Sequence, residues 1–511
     1  MTTAHAAATG GEHFDRVIST VAGDGFAGQP KEENECAVSA RLNTPYGVAV
    51  DLDGTLYISE SGGHRVWKVT TDGKISTVAG TGSAGRGAEN VSAVSAQLRE
   101  PRGIAVDSAG DLYIADAGNH RIRKITMADG KIHTFAGTGT GTYGGDGLSA
   151  TAAHLNYPFD VAVDGAGDVY IADYGNHRIR KVTKADGKIS TVAGTVGAGL
   201  ASDGTDATAA QLKNPTAVAV DSAGNLYIAD QGNQRVRKVA KADGKIRTVA
   251  GTGAATYSGD NVKATSAALK WPLGVVVDST GDLYIADQHN HRVRRVTADG
   301  TISTVAGTGS PTYGGDGKSA TSAQLSTPQG IAVDCVDNLY IAEAVHRVRK
   351  VTSERMAGLP DSGTVVSWAN VRSRLRMGVV RESVKDGAEV HQTLTVPRDH
   401  QRWRLIAVGQ ENGNVLYRIE NVRSGKVLEV VEARKAEAAV VAQRAYEGPD
   451  AHHQHWRLTP VGPASDSPRV YAIENRNSGL LLGVDTNARA VIKQYSAEND
   501  LPERQWQLLP A

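Results

Sequence analysis

An acid followed four residues later by a histidine can hold a metal ion or pass protons, and this 511-residue chain writes that pair repeatedly. The stretch IADYGNHRIRKV, from Ile171 to Val182, recurs with small changes from Ile58, Ile114, Ile228, Ile285 and, shortened, from Ile341. Five copies carry the histidine, as His64, His120, His177, His291 and His346, and one carries Gln234 instead. Within a copy, Asp173 and Asn176 can supply turn hydrogen bonds and Arg178 can pair with the acid, so the motif also has a purely structural explanation. Glutamine keeps the hydrogen bonding but is a poor metal ligand, which favours structure over chemistry.

The spacing of the repeat names the elements that hold these residues. Pro45, Pro101, Pro158, Pro215, Pro272 and Pro328 are separated by 56, 57, 57, 57 and 56 residues. Each unit contains four strand-sized segments; in the second these are GIAVD (Gly103 to Asp107), DLYIAD (Asp111 to Asp116), HRIRKI (His120 to Ile125) and KIHTFAG (Lys131 to Gly137), separated by turn signals. Four antiparallel strands repeated radially form a β-propeller blade, so six units give an all-β, six-bladed propeller. The last unit lacks its STVAG strand, and the chain opens with an orphan VISTVAG (Val17 to Gly23) that can close the ring and remove its edges. At about 4.8 Å per strand, the histidine turn sits on the order of 12 Å or more from the axis. Histidines of neighbouring blades therefore cannot share a zinc ion with bonds of about 2.0–2.1 Å. No metal and no cofactor is expected.

The pattern P-x-G-(V/I)-A-V-D-x-x-G-(D/N)-L-Y-I-A-D-x-x-N-x-R resembles the NHL propellers from about Phe14 to Thr352. The resemblance implies fold rather than function, because such propellers include RNA binders, protein-binding sensors and lyases. A zinc peptide lyase among them carries its metal histidines at the x of P-x-G, where this chain has none. Here x reads Tyr46, Arg102, Phe159, Thr216, Leu273 and Gln329, six residues expected to rim the central channel and bind a ligand on the upper face. The next residue is glycine in four blades but Asp160 in the third, which makes Asp160 the candidate functional carboxylate. If the channel is catalytic, Asp160 acts as general base, with Arg102 and Tyr46 binding the substrate. Long inter-blade loops cross the same face, and Tyr143, Tyr257 and Tyr313, with Phe26 as counterpart, are expected to pin them.

From about Val365 a different pattern begins. YRIENVRSGKVLEV (Tyr417 to Val430) matches YAIENRNSGLLLGV (Tyr471 to Val484), and WANVRSRLRMGV (Trp368 to Val379) is a weaker first copy. Each copy ends in an aromatic mark, QRW at Trp403, QHW at Trp456 and RQW at Trp506. These Q-x-W marks resemble ricin-type β-trefoil lectins, a likeness that makes Gln401, Trp403, Gln454 and Trp456 fold residues. It implies carbohydrate binding through an acid, an amide and an aromatic platform, for which Glu429, Gln443, Tyr446, Gln494 and Tyr495 are the candidates. No copy holds the whole set: Gly378 and Gly483 stand where the acid belongs in the first and third, and the second has no aromatic directly after Gln443, although Tyr446 is near.

The expected organisation is a flexible N-terminus (1–13), a propeller (14–352), a linker (353–364) and a trefoil (365–511). With 55 basic and 55 acidic side chains, no net field favours nucleic acid or an anionic membrane. The first residues contain no secretory pattern and no apolar run is long enough to span a bilayer. Two distant cysteines, Cys36 and Cys335, suggest no disulfide framework, and the expected location is cytoplasmic. The expected function is ligand recognition, with a small molecule, peptide or protein on the propeller's upper face and carbohydrate or a docking surface at the trefoil. The alternative is a non-zinc lyase or a condensing or cyclising enzyme of the strictosidine-synthase-like kind, with acid/base chemistry in the channel.

Overall fold

The computed structural model describes residues 16–30 and 32–352 and, in the C-terminal region, 364–370, 376–379, 383–393, 401–411, 414–435, 439–461, 470–484, 492–495 and 505–510. Residues 1–13 and most of the expected linker lie outside the described residues.

Six antiparallel sheets are arranged around one axis, each starting at its proline. In the third blade the strands run from the axis outward as Pro158–Val163, Val169–Asp173, Arg178–Val182 and Ile189–Ala193. Proline opens the innermost strand, where its missing N–H costs no ladder bond. Asp164 closes the first turn by accepting from the Ala166 and Asp168 amides, and its second oxygen receives the Tyr170 hydroxyl, 3.2 Å away. The orphan strand Ile18–Ala22 pairs antiparallel with Arg347–Val351, so the sixth blade is built from both ends of the propeller. Between blades, the sheet faces bury one another: Tyr113 and Ala115 of the second blade share a core with Val161, Ile171 and Val182 of the third.

The C-terminal region forms a second, continuous sheet whose core holds Trp368, Trp403, Trp456 and Trp506. The three Q-x-W tryptophans are locked alike. The indole N–H of Trp403 donates to Met377 O (3.1 Å), that of Trp456 to Leu428 O (2.9 Å) and that of Trp506 to Leu482 O (3.0 Å). Each acceptor immediately precedes Gly378, Glu429 or Gly483, which fixes the threefold register of the trefoil.

The trefoil seats on the propeller's lower turns. Val336, in the first turn of blade six, is buried within the trefoil core, and Cys335 Sγ donates to Ala407 O (3.5 Å). Gln410 Nε2 donates to Asp337 (3.0 Å), and Arg418 forms an ion pair with Asp53 (2.7 Å). Cys36 and Cys335 are unbridged. No helix among the described residues is long and apolar enough to cross a membrane.

Candidate functional site: the central channel

The six innermost strands enclose a channel cavity of about 280 Å³, to which every blade contributes, mostly through valine, isoleucine, alanine and glycine. Of the six residues at x, Tyr46, Thr216, Leu273 and Gln329 line its upper end. Tyr46, Phe159 and Leu273, from alternate blades, meet as one buried cluster, with Tyr157 and Tyr174 packed against it. Burial is the physical reason: apolar side chains at the start of inward-facing strands converge on the axis and exclude water. The Thr216 hydroxyl donates to Leu273 O (2.9 Å), and Gln329 is buried at the same level.

Arg102 threads this cap. Its guanidinium lies 4.1 Å from the Phe159 ring centroid, 4.6 Å from Tyr46 and 5.2 Å from Tyr157. These are cation–π distances. Arg102 Nη2 also donates to the Tyr157 hydroxyl (3.3 Å), which in turn donates to Glu100. Burial holds the Tyr46 phenol well above its ordinary pKa, although Arg102 beside it opposes the shift. Tyr174 stacks on Phe159 at 4.2 Å. Sequence reading missed Tyr157 and Tyr174; the available signal was that the third blade alone is aromatic at all three positions, whereas the first has only Tyr46 and the fifth only Trp271.

Asp160 lies beneath the cap, facing the cavity. Its Oδ2 accepts from Val218 N of the fourth blade (3.2 Å), while its Oδ1 rests against Gly103 of the second, where any side chain would collide with it. Burial pushes its carboxyl up to about 7, opposed by the Val218 and Val161 amides. Arg102 makes no ion pair with it and is engaged in the cap above. A second cavity, of about 560 Å³, opens on the lower side of blades one to three and adjoins the channel along Val50, Val106 and Val163. The channel therefore meets the lower face, on which the trefoil also sits.

The histidines have a different task. His177 Nδ1 accepts from Asn214 N of the next blade (3.1 Å), His120 from Tyr157 N (3.0 Å), His64 from Glu100 N (3.2 Å), His291 from Thr327 N (3.3 Å) and His346 from Thr44 N (3.1 Å). Gln234 Oε1 makes the same bond to Trp271 N (2.7 Å). Each links one blade to the next at the residue preceding the proline. The position requires an acceptor rather than a metal ligand. Burial lowers the pKa of His120, His177, His291 and His346, keeping that acceptor unprotonated.

The acid of the motif is buried too. Asp173 accepts from Asn156 N (2.7 Å) and Asn176 Nδ2 (2.8 Å). Its arginine partner is Arg180 (3.5 Å), not the expected Arg178, because Arg180 lies two residues further along the strand with its guanidinium fully buried. Arg178 instead stacks on Tyr143 (3.9 Å). Tyr257 and Tyr313 cover Arg292 and Arg347 likewise (4.1 and 3.7 Å), whereas Phe26 lies 6.0 Å from Arg41.

Among the described candidates in the trefoil, Glu429 and Gln443 do not share a face. Gln443 pairs across from Leu428 and so faces the opposite side of the sheet from Glu429, accepting from Ser424 Oγ (2.7 Å) and donating to Ser383 O (2.9 Å). Tyr446 stacks under Arg418 (4.5 Å) beside the propeller contact. Gln494 and Tyr495 belong to the strand Ile492–Tyr495, and their side chains lie outside the described residues.

Residues 98–125, 155–182, 212–239 and 269–296 match the NHL repeat, and 357–444 and 399–495 match the ricin-type beta-trefoil lectin domain-like family. The class is thus defined: NHL repeats in a six-bladed β-propeller, followed by a ricin-type β-trefoil lectin-like domain. Among curated proteins, the chain is similar to Protein SUPPRESSOR OF QUENCHING 1, chloroplastic, of Arabidopsis thaliana. The two are 30% identical over 327 residues, covering 61% of this chain and 30% of that protein. It is also similar to NHL repeat-containing protein 2 of Homo sapiens, 27% identical over 337 residues, covering 60% and 46%. The chain spans less than half the length of either relative. A solved Bacteroides thetaiotaomicron protein of unknown function shares the propeller fold, with a TM-score of 0.50 and 19% identity over 66% of this chain and 76% of that one.

Proposed function

We propose that this chain is a ligand-recognition protein whose propeller takes a small cationic or hydrogen-bond-donating molecule into the central channel. The trefoil docks beneath and serves attachment, either to carbohydrate or through the docking contact itself. The observation that carries the reading is a single carboxylate, Asp160, in an otherwise mostly apolar cavity of about 280 Å³. Small-ligand sites have this character, with apolar walls and a few placed polar groups. With Tyr46, Phe159 and Leu273 packed together over the axis, the route of entry in this reading is the lower face, through the adjoining cavity at Val50, Val106 and Val163.

Small primary ammonium ions, titrated calorimetrically, test this. Affinity should rise with pH through about 7, as Asp160 ionises, and fall at least tenfold in Asp160→Asn. Equal binding by the variant overturns the reading. A second reading, acid/base catalysis by Asp160, is favoured by the same enclosed carboxyl held near 7, a value suited to a general base. In that case Asp160→Asn abolishes turnover of a bound substrate while leaving neutral ligands bound. Arg102 and Tyr46 would act only through the cap, because Arg102 is sandwiched among its rings.

A further inference from the structure

In the second trefoil copy, Glu429, Glu447 and His453 converge, with their ligating atoms all within 4.8 Å of one another. His453 Nε2 lies 3.5 Å from Glu429 Oε2 and 3.8 Å from Glu447 Oε2. These separations exceed good hydrogen bonds and approach the ~3.4 Å edge of a tetrahedron whose corners lie about 2.0–2.2 Å from a central zinc ion.

Glu429 supplies an independent sign. It is 1% exposed, and its Oε1 makes no hydrogen bond: Arg444 Nε is 2.8 Å away but out of line with its N–H. Its Oε2 receives only Gln454 Nε2, at 3.2 Å. Arg444 offsets part of the cost of burying this carboxylate on its Oε1 side, and a cation on the Oε2 side, where His453 lies, would offset more. The three groups are held in place by the fold. The Trp456 indole anchors Leu428 beside Glu429, and Gln454 Oε1 accepts from Glu447 N (3.0 Å), tying the loop to the turn that carries His453.

Two carboxylates and one guanidinium give a formal net charge of about −1, and an imidazole ligand favours zinc-like ions over calcium or magnesium. We propose that Glu429, Glu447 and His453 bind one divalent transition-metal ion of the zinc class, with water completing its coordination. Glu429 occupies the position where the resemblance to ricin-type lectins implies a sugar-binding acid. Since Gln443 faces away from it, this copy is built for a cation instead.

The test uses the full chain, stripped with chelator, dialysed and titrated with zinc chloride by calorimetry, with cobalt(II) absorption as a second readout. One tight equivalent is expected, weakened at least tenfold in both Glu447→Gln and His453→Gln, with loss of the cobalt d–d bands. Glu447 is half exposed, so its variant keeps the fold; unchanged melting of the metal-free variants verifies this. Absence of a tight equivalent in the parent overturns the proposal. So does its retention in either variant, which would place the zinc among the chain's other histidines.

Discussion

Converting all five inter-blade histidines to alanine removes one acceptor per junction and leaves five backbone N–H groups without partners. A donor left unsatisfied costs about 1–3 kcal/mol, and the lower end applies here because residues such as Asn214 are only partly buried. The junctions lie well apart around the ring, so the costs add, to about 5 kcal/mol. At about 2 cal/mol/K of unfolding entropy per residue, a ring of roughly 340 residues gives about 0.7 kcal/mol/K, and the melting temperature falls by about 7 °C. The matched glutamine variant should stay within about 1–2 °C of the parent, because Gln234 already makes this bond. Calorimetric melting checks both, and a glutamine variant as unstable as the alanine variant refutes the latch. Acidification adds a signed control. The lowered imidazole pKa values mean that the latch contribution is present above about 6.5 and is lost as pH falls towards the folded values. Buried carboxyls such as Asp173, raised to about 6, act oppositely: their contribution is present at low pH and is lost as pH rises through about 6. The parent minus the glutamine variant isolates the histidines, and that difference should shrink on acidification below about 6.5.

Further outcomes follow from the architecture. Deleting residues 1–23 removes the strand Ile18–Ala22 and exposes the edge at Arg347–Val351, so the truncated chain should associate, seen as a larger mass in light scattering. Val336→Asp places a charge in the trefoil core at the docking contact. Limited proteolysis should then release the propeller and trefoil as separate fragments much faster than from the parent.

The blades were legible because proline spacing, strand alternation and the missing outer strand are local patterns that repeat. The Q-x-W marks were legible for the same reason. What the sequence hid are the contacts between repeats. His177 meets Asn214 across 37 residues, and nothing in either residue's own unit announces the pair. Asp160 stood out by breaking the glycine pattern, yet its bond to Val218 N arises only from the close approach of neighbouring innermost strands. The x residues read as a channel rim because their variety suggested freedom from shared packing; in the ring, blades one, three and five also bring Tyr46, Phe159 and Leu273 together across the axis. Glu429 and Gln443 looked like partners in a linear motif, but the strand register turns them to opposite faces.

The claim that the channel is the ligand site is tested most directly by native mass spectrometry of the full chain and of Ala162→Leu, a variant with added carbon atoms in the channel wall. Both would be challenged with one mixture of small amines, alcohols and sugars. Small-amine adducts are expected on the parent and should disappear from Ala162→Leu, while any sugar adduct is unchanged. Identical amine adducts on both proteins would contradict it.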